Sequence, residues 1–194
     1  MSEGSSTGKT LYLIDGYAQF FRAYHAIRTP MSSPVTSEPT FMTFGFMDML
    51  MKLFKEYAPD HLALVLDVSG DRGTFRNEIY PDYKANRDPP PSDLKPQVEQ
   101  CLTLLKHLNV PVYGVEGFEA DDVIATIVER MESEHPDLEI RIVSKDKDLQ
   151  QLISEHVAML NIKKKDESDE LVDVARLHEE KGIAPEQVID MRCH

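Results

Sequence analysis

Apolar runs of strand length alternate with longer amphipathic stretches from residue 11 to residue 182. The runs with strand length are 11–15, 61–67, 110–115, 139–146 and 157–162. The stretches with helical character are 16–27, 40–57, 92–108, 119–134, 148–154 and 171–182. Ser92 is placed to cap one of these helices, and Gly182 to end another. Strands that alternate with helices predict an α/β domain with a mainly parallel central sheet flanked by helices.

The ends of the chain and one internal segment have a different character. Residues 1–10 are polar and predict a flexible N-terminal tail, so that the domain is expected to span 11–182. Residues 71–95 are irregular and charged and include three consecutive prolines, which predicts a flexible segment within the domain. Residues 183–194 begin a further helix before the sequence stops.

Composition limits the class of protein. About 41% of the residues are apolar, which is typical of a globular protein, and no apolar run approaches the ~20 residues that cross a bilayer. The two cysteines lie far apart and the N-terminus lacks the apolar stretch of a signal peptide, so we expect a reduced, cytoplasmic protein that contacts no membrane. We also expect a monomer. The formal net charge of −13 argues against a general affinity for nucleic acid. Any DNA binding must then be local and assisted by metal ions.

Acidic residues recur where the predicted strands end and the predicted helices begin. The acids at these places are Asp15, Asp67, Glu119, Asp121, Asp122, Asp146 and Asp148. Three of them follow predicted strands directly, and three others open one predicted helix. Ligands of parallel sheets bind at the carboxyl ends of the strands, so we expect these side chains to converge at that edge.

Two interpretations of these acids stay open. Each acid alone could cap a helix or complement the positive end of its dipole. Together, so many carboxylates would repel one another, and a divalent cation would offset that repulsion. Oxygen ligands without His or Cys favour Mg²⁺, with Mn²⁺ as a substitute, over zinc. Glu119 and Asp122 stand three residues apart on one helix face, from which they could serve a pair of ions about 3.5–4 Å apart.

Basic and aromatic residues are concentrated in the segment 71–95. Arg76, Lys84 and Arg87 lie there together with Tyr83. Basic groups neutralise phosphates, and tyrosine rings provide a stacking surface for an unpaired base. The segment is therefore a candidate DNA-binding element, although a solvated loop with ordinary charges would have the same composition.

Several motifs together resemble one family. They are LYLIDGYAQFFRAYHA (11–26), TFR (74–76), YKANR (83–87), GFEADDVIATI (117–127) and SKDKDLQQLI (144–153). In this order and spacing they are similar to the 5′-nuclease domain of bacterial DNA polymerase I, which belongs with the flap endonucleases and related PIN-like nucleases. The resemblance runs from about residue 11 to residue 189. It implies a resolvase-like fold and a 5′-3′ exonuclease or flap endonuclease that hydrolyses DNA phosphodiester bonds near a free 5′ end in replication and repair.

The resemblance implies a role for each candidate acid. All seven correspond to acids of the family's metal site, and Asp15 and Asp67 are expected to be catalytic as well as metal-binding. Two Mg²⁺ ions are the expected cofactors. DNA with a free 5′ end or a flap is the expected partner, and an RNA primer is a further candidate.

The resemblance also assigns the segment 71–95 to a helical arch. Lys84 and Arg87 correspond to a basic pair at its base that contacts the scissile phosphate, which makes both residues candidates for catalysis and DNA binding. Tyr83 corresponds to a ring that stacks near the reacting nucleotide, and Arg76 to a basic residue of the same region.

The sequence departs from the family pattern near its end. In the family, a segment like PEQVID (185–190) leads to two further aspartates and a helix-three-turn-helix that grips duplex DNA, whereas here four other residues follow. We therefore expect residues 183–194 to be the start of a truncated C-terminal DNA-binding region. The second metal site would then be incomplete, and activity could be reduced.

Two other functions fit the same residues. One is a nucleic-acid-binding accessory module with little catalysis, and the other is a PIN-type ribonuclease. A phosphate-signalling receiver domain also places aspartates at strand ends, but it explains neither Asp148 nor the YKANR segment. Comparing the cleavage of flap DNA and single-stranded RNA would separate these possibilities.

Overall fold

Strands and helices alternate along the part of the chain that the computed structural model describes, which is residues 8–27, 29–68, 90–163 and 167–188. The strands are β1 Thr10–Asp15, β2 His61–Val65, β3 Val112–Tyr113, β4 Glu139–Val143, β5 Val157–Asn161 and β6 Glu170–Val172. The α-helices are α1 Gly16–Ala26, α2 Phe41–Tyr57, α3 Leu94–His107, α4 Ala120–Glu134 and α5 Val174–Lys181. Two 3₁₀ helices follow β4 and α5, at Lys147–Leu152 and Pro185–Gln187.

The strands form one six-stranded sheet in the order β3-β2-β1-β4-β5-β6. β2 pairs in parallel with β3, where Leu64 lies opposite Val112. β4 pairs in parallel with β5, where Ile142 lies opposite Met159. Only the pairing of β6 with β5 is antiparallel among the pairings described for these strands. The predicted α/β class with a mainly parallel sheet flanked by helices is therefore confirmed.

The described chain divides into two compact units. We call residues 14–27, 29–58, 63–68 and 90–124 the central unit, and residues 8–13, 59–62, 125–163 and 167–188 the terminal unit.

Each unit has its own set of buried apolar side chains. In the central unit, α1 packs against α2, and the fully buried rings of Phe20 and Phe46 meet with their centroids 4.8 Å apart. In the terminal unit, Ile140, Ile142 and Val157 are buried where β4 pairs with β5. Burying a side chain of this size stabilises the fold by about 1.5–3 kcal/mol.

The predicted helix 171–182 is wrong at its start. Leu171 and Val172 belong to β6, which pairs with β5, and α5 begins only at Val174. An apolar pair of this kind suits a strand or a helix, and the hydrogen bonds to β5 decide between them. The predicted end of the helix is confirmed, because Gly182 follows α5 with a φ of 68°.

The predicted cap of α3 is also wrong. The helix begins at Leu94, so Asp93 and not Ser92 occupies the capping position. Neither residue caps it through a side chain, because the carboxylate of Asp93 accepts a hydrogen bond from the Tyr24 hydroxyl at 2.8 Å. The Asp93 side chain thus contacts a residue distant in sequence and does not cap its own helix.

Other boundaries differ by a few residues. The tail predicted to reach residue 10 ends earlier, because Thr10 opens β1 and donates from its N–H to Asp60 at 2.8 Å. The strands predicted at 61–67, 110–115 and 139–146 are shorter than expected. The short helix predicted at 148–154 is the 3₁₀ helix Lys147–Leu152.

Three predicted features lie wholly or largely outside the described residues. They are the tail up to residue 7, the arch segment up to residue 89, and residues 189–194. The arch residues Arg76, Tyr83, Lys84 and Arg87 lie in the second of these. Among the described residues, no helix is both long and apolar enough to span a membrane.

Candidate metal centre

Asp15 closes β1 and opens α1. Its backbone is still extended, and its Oδ1 accepts a hydrogen bond from the N–H of Ala18 at 3.3 Å, which makes it the N-cap of the helix. The carboxylate is only 6% exposed, although aspartate is seldom buried without a partner. In the sheet order, β2 and β3 lie on one side of β1, and β4, β5 and β6 lie on the other. Ligands of such sheets bind at the carboxyl ends of the strands where the order changes side in this way. Asp15 therefore combines a capping role with a favourable position for a ligand.

Gly16 brings the start of α1 close to β2. A Cβ atom at this position would lie 2.6 Å from Cδ2 of Leu66 and 2.9 Å from the carbonyl oxygen of Val65. The φ of Gly16 lies outside the left-handed region, so close approach and not an unusual turn requires glycine here. The absence of a side chain at residue 16 thus keeps Asp15 close to the end of β2.

Asp67 lies two residues beyond the last residue of β2. The ladder continues to Leu66, whose N–H donates to the carbonyl oxygen of Tyr113 at 2.8 Å. Burial raises the pKa of the Tyr17 phenol, and the nearby negative charge of Asp67 raises it further. Tyr17 is in the first turn of α1, so the charge of Asp67 acts on the start of the helix that Asp15 caps.

The group Glu119, Asp121 and Asp122 lies at the start of α4. A turn with Gly117 at a φ of 84° precedes the helix. Oδ2 of Asp122 accepts a hydrogen bond from the N–H of Glu119 at 3.0 Å, so this carboxylate occupies the position of the acid in a capping box. All three side chains are partly buried, and Oε1 of Glu119 is fully buried. The positive end of the helix dipole lowers the repulsion among these acids.

Asp146 and Asp148 belong to the terminal unit. Asp146 is the N-cap of the Lys147–Leu152 3₁₀ helix, and its Oδ1 accepts a hydrogen bond from the N–H of Asp148 at 3.0 Å. The N–H of Asp146 donates in turn to Oγ of Ser144 at 3.1 Å, and Ser144 is buried at the end of β4. The two acids are therefore brought together by the backbone of one tight turn.

The seven acids lie at four places along the described chain, of which three are helix starts and one follows β2. Within the residues that it describes, no three or more His, Cys, Asp or Glu side chains form a group that could hold a metal ion. At three of the four places, a carboxylate accepts a hydrogen bond from a backbone N–H at its own helix start. The capping interpretation is confirmed for Asp15, Asp122 and Asp146, and the assignment of all seven acids to metal binding stays a prediction.

The chemistry of the donors fits a hard divalent cation. Each candidate group supplies carboxylate oxygens and no nitrogen or sulfur. Mg²⁺ prefers oxygen ligands and keeps several waters, so one or two carboxylates with water can complete its octahedron. The shared helix face expected for Glu119 and Asp122 stays a prediction, because the hydrogen bond between them joins the Asp122 carboxylate to the backbone N–H of Glu119. Carboxylate oxygens at these positions are therefore compatible with a divalent cation.

Two residues that help to build this region were missed at the level of sequence. Tyr17 lies near Asp67, and its place in the first turn after Asp15 was the available signal. A Cβ atom on Gly114 would lie 2.5 Å from Cγ1 of Val68 and 2.9 Å from the carbonyl oxygen of Leu66, so this glycine permits close packing beside Asp67. A lone glycine after a strand gives no comparable signal.

The chain matches a described family. The model of the 5′-3′ exonuclease N-terminal, resolvase-like domain matches residues 10–182 of this chain. This chain belongs to that family. The predicted resemblance to the 5′-nuclease domain of DNA polymerase I is thereby confirmed, and so is the predicted resolvase-like fold.

Named relatives and solved structures agree with this assignment. The chain is 38% identical over 193 residues to DNA polymerase I of Rhizobium leguminosarum, covering 96% of this chain and 18% of the polymerase. It is 35% identical over 182 residues to a 5′-3′ exonuclease of Aquifex aeolicus, covering 94% of this chain and 60% of that protein. A flap endonuclease of bacteriophage T5, solved in a complex with DNA and metal ions, shares the fold with a TM-score of 0.65 and 20% identity, over 95% of this chain and 65% of that one. The chain therefore spans less than two thirds of each of these proteins.

Proposed function

We propose that this chain is a divalent-metal-dependent 5′-3′ exonuclease and flap endonuclease that hydrolyses DNA near a free 5′ end in replication and repair. The observation that carries the proposal is the family match over residues 10–182, which includes every strand end and helix start at which the seven acids lie. The relative named as a 5′-3′ exonuclease supports the proposed activity, and the T5 flap endonuclease complex with DNA and metal ions supports the substrate class and the need for metal.

The proposed cofactor is Mg²⁺, with Mn²⁺ as a substitute. The proposed ligands in the central unit are Asp15, Asp67, Glu119, Asp121 and Asp122, and those in the terminal unit are Asp146 and Asp148. Divalent ions at such carboxylates, when bound, supply Lewis acidity to a phosphodiester and lower the pKa of a water molecule.

The protein's own residues would then orient the substrate and balance its charge. Oxygen of a water molecule attacks phosphorus, and the bond from phosphorus to the leaving oxygen breaks, so that no covalent enzyme intermediate forms. Lys84 and Arg87 would neutralise the scissile phosphate and Arg76 a neighbouring one, while the Tyr83 ring would stack on the reacting nucleotide. RNA primers as a further substrate, a monomeric state and a cytoplasmic location stay predictions.

The proposal is tested by a cleavage assay with matched substrates. A 5′-flap DNA and a single-stranded RNA, both labelled at the 5′ end, are incubated with the protein in Mg²⁺, in Mn²⁺ and in a chelator. Asp122→Asn removes the charge of a proposed ligand but keeps an oxygen that can accept the hydrogen bond from Glu119. Glu129→Gln is the control, because it removes one charge from an exposed position on the same helix.

We expect metal-dependent cleavage of the flap DNA that Glu129→Gln retains and Asp122→Asn loses. Faster cleavage of RNA than of DNA would instead support a PIN-type ribonuclease. Binding of the flap DNA without cleavage in either metal would support an accessory module and contradict the proposed activity.

A further inference from the structure

Lys181 directs its amine towards the body of the terminal unit. It is the last residue of α5, and its Nζ donates a hydrogen bond to Oε1 of Gln150. Gln150 is 8% exposed and Lys181 is partly buried, so this contact is shielded from water on one side. A hydrogen bond from a charged donor is about twice as strong as one between neutral groups. The contact therefore fixes the position of Gln150 more firmly than a neutral partner would.

Gln150 lies in the turn that carries two of the proposed metal ligands. The Lys147–Leu152 3₁₀ helix starts at its N-cap Asp146 and has Asp148 in its first turn. At the other end of this helix, the N–H of Ile153 donates to the carbonyl oxygen of Gln150 at 3.2 Å. Short 3₁₀ helices have poor hydrogen-bond geometry, so their shape depends on contacts from outside. The side chain of Gln150 provides one of these contacts, and Lys181 is its partner.

The segment that follows Lys181 supports the same turn. Gly182 ends α5, and the Pro185–Gln187 3₁₀ helix then packs against the Lys147–Leu152 helix. Pro185 and Val188 are buried in this region. Lys181 thus contributes a directional polar contact to a turn that apolar packing already holds from one side.

We propose that Lys181 is a positioning residue for Asp146 and Asp148, acting through Gln150. The proposal rests on the proposed function, because it takes these two acids as metal ligands. Lys181 would hold the 3₁₀ turn in place, and Asp146 and Asp148 are the residues of that turn that would hold a divalent ion. It touches neither the metal nor the substrate.

The test measures metal binding separately from catalysis. Mn²⁺ alone is titrated into the full chain by calorimetry, and hydrogen exchange reports on the backbone amides of residues 147–153. The variants are Lys181→Met, which keeps the apolar stem, Lys181→Arg, which restores a charged donor, and Gln150→Leu. Lys106→Met is the matched control, because it removes one lysine from an exposed position on α3.

We expect Lys181→Met to weaken Mn²⁺ binding about tenfold, at the low end of the range for groups that orient metal ligands. The Mn²⁺ concentration for half-maximal cleavage should rise more than kcat falls, and exchange over residues 147–153 should quicken. Lys181→Arg should restore both the Mn²⁺ affinity and the slower exchange over residues 147–153. Gln150→Leu should have the same effect as Lys181→Met, and the double variant should add little, because both remove one interaction.

Each contrary result has a distinct meaning. Faster exchange with unchanged Mn²⁺ affinity would make Lys181 a merely structural residue and overturn the inference alone. Loss of a positive charge by itself would favour Mn²⁺ binding, so an equal loss of affinity in Lys106→Met would show an effect that is not specific to position 181, and this result would also overturn the inference. Failure of the unmodified chain to bind Mn²⁺ would overturn the inference and contradict the proposed function together.

Discussion

The helix starts at Asp15 and at Asp173 have the same local design. Asp15 is the last residue of β1 and precedes α1, and Asp173 directly follows β6 and precedes α5. Each side chain accepts a hydrogen bond from the N–H three residues on, Ala18 at 3.3 Å and Arg176 at 2.8 Å. By local sequence and by capping geometry, the two sites are therefore equivalent.

Their surroundings differ in ways that matter for function. Asp15 is 6% exposed and ends a strand that lies between β2 and β4, whereas Asp173 is exposed and follows an antiparallel edge strand. Near Asp15, the central unit also places Asp67 beside Tyr17. On α5, Arg176 instead forms an ion pair with Glu180.

The comparison shows that a strand, an aspartate and a helix in sequence predict a cap but not a functional site. A site requires further acids near the same strand end and enough burial for their charges to interact strongly. Three of the seven candidate acids accept hydrogen bonds at helix starts whether or not they bind metal. Substitutions that keep the cap and remove the charge can separate the two roles.

The largest expected effect comes from Asp15→Asn. Asparagine caps helices about as well as aspartate, so the free energy of unfolding should change by less than about 0.5 kcal/mol. Loss of a proposed metal ligand should lower the rate of flap cleavage at least about 100-fold. Single-turnover cleavage and chemical denaturation measure the two effects on one preparation.

Asp173→Asn is the matched control for this prediction. It makes the same chemical change at an equivalent cap and should alter neither cleavage nor stability. If both variants lose activity to the same degree, burial and strand position do not distinguish the two caps.

The next largest effect is expected from Gly16→Ala. The added methyl group would overlap Leu66 and the carbonyl oxygen of Val65, so we expect a loss of about 3 kcal/mol, near the upper end for overpacking. Gly182→Asn is the control at the end of α5, where an added Cβ atom would have no neighbour within 4 Å and only the positive φ is demanding.

Asparagine tolerates the left-handed conformation, so Gly182→Asn should cost less than about 1 kcal/mol. Thermal denaturation of both variants measures the difference. If Gly16→Ala destabilises the protein no more than Gly182→Asn does, the structure around α1 and β2 can accommodate the added methyl group.

A third helix start sharpens the comparison, because no local side chain caps it. The N–H of Met42 in α2 donates instead to Oε1 of Gln97 at 2.9 Å, and Nε2 of Gln97 donates to the carbonyl oxygen of Asp93 at 3.1 Å. Gln97 is fully buried. Gln97→Leu should therefore destabilise the protein by about 2 kcal/mol, since it leaves buried polar groups without partners.

Gln187→Leu provides the control for this buried cap. Its Oε1 also accepts a backbone hydrogen bond, from Ala184 at 2.9 Å, but the side chain is exposed. Denaturation should show a change below about 0.5 kcal/mol for this variant, as is usual at the surface. A similar loss in both variants would contradict the role of burial.

The smallest effect concerns the Tyr17 phenol. Burial and then the charge of Asp67 raise its pKa, so Asp67→Asn should lower that pKa while leaving it above the usual value. The pKa of Tyr24 is raised chiefly by its hydrogen bond with Asp93 and should not change. A pH titration followed by NMR of labelled tyrosines reports both groups at once, and a constant Tyr17 pKa would place Asp67 elsewhere.

The alternation of short apolar runs with amphipathic stretches was enough to predict the α/β class and most elements. It failed at Leu171 and Val172, which suit a strand or a helix equally until the pairing with β5 is known. It also failed at Ser92, because the contact between Asp93 and Tyr24 joins residues 69 positions apart. Hydrophobic periodicity and capping preferences concern residues close in sequence, so they do not predict contacts of this kind.

The sequence by itself determined the family, the strand-end acids and their capping positions, because motif spacing and N-cap chemistry act within a few residues. Only the tertiary structure decided which cap is buried, because the burial of Asp15 depends on the sheet order around β1. It alone showed that Gly16 permits contact with β2 and that Lys181 reaches Gln150. These properties depend on side chains that are distant in sequence and meet only when the sheet has formed.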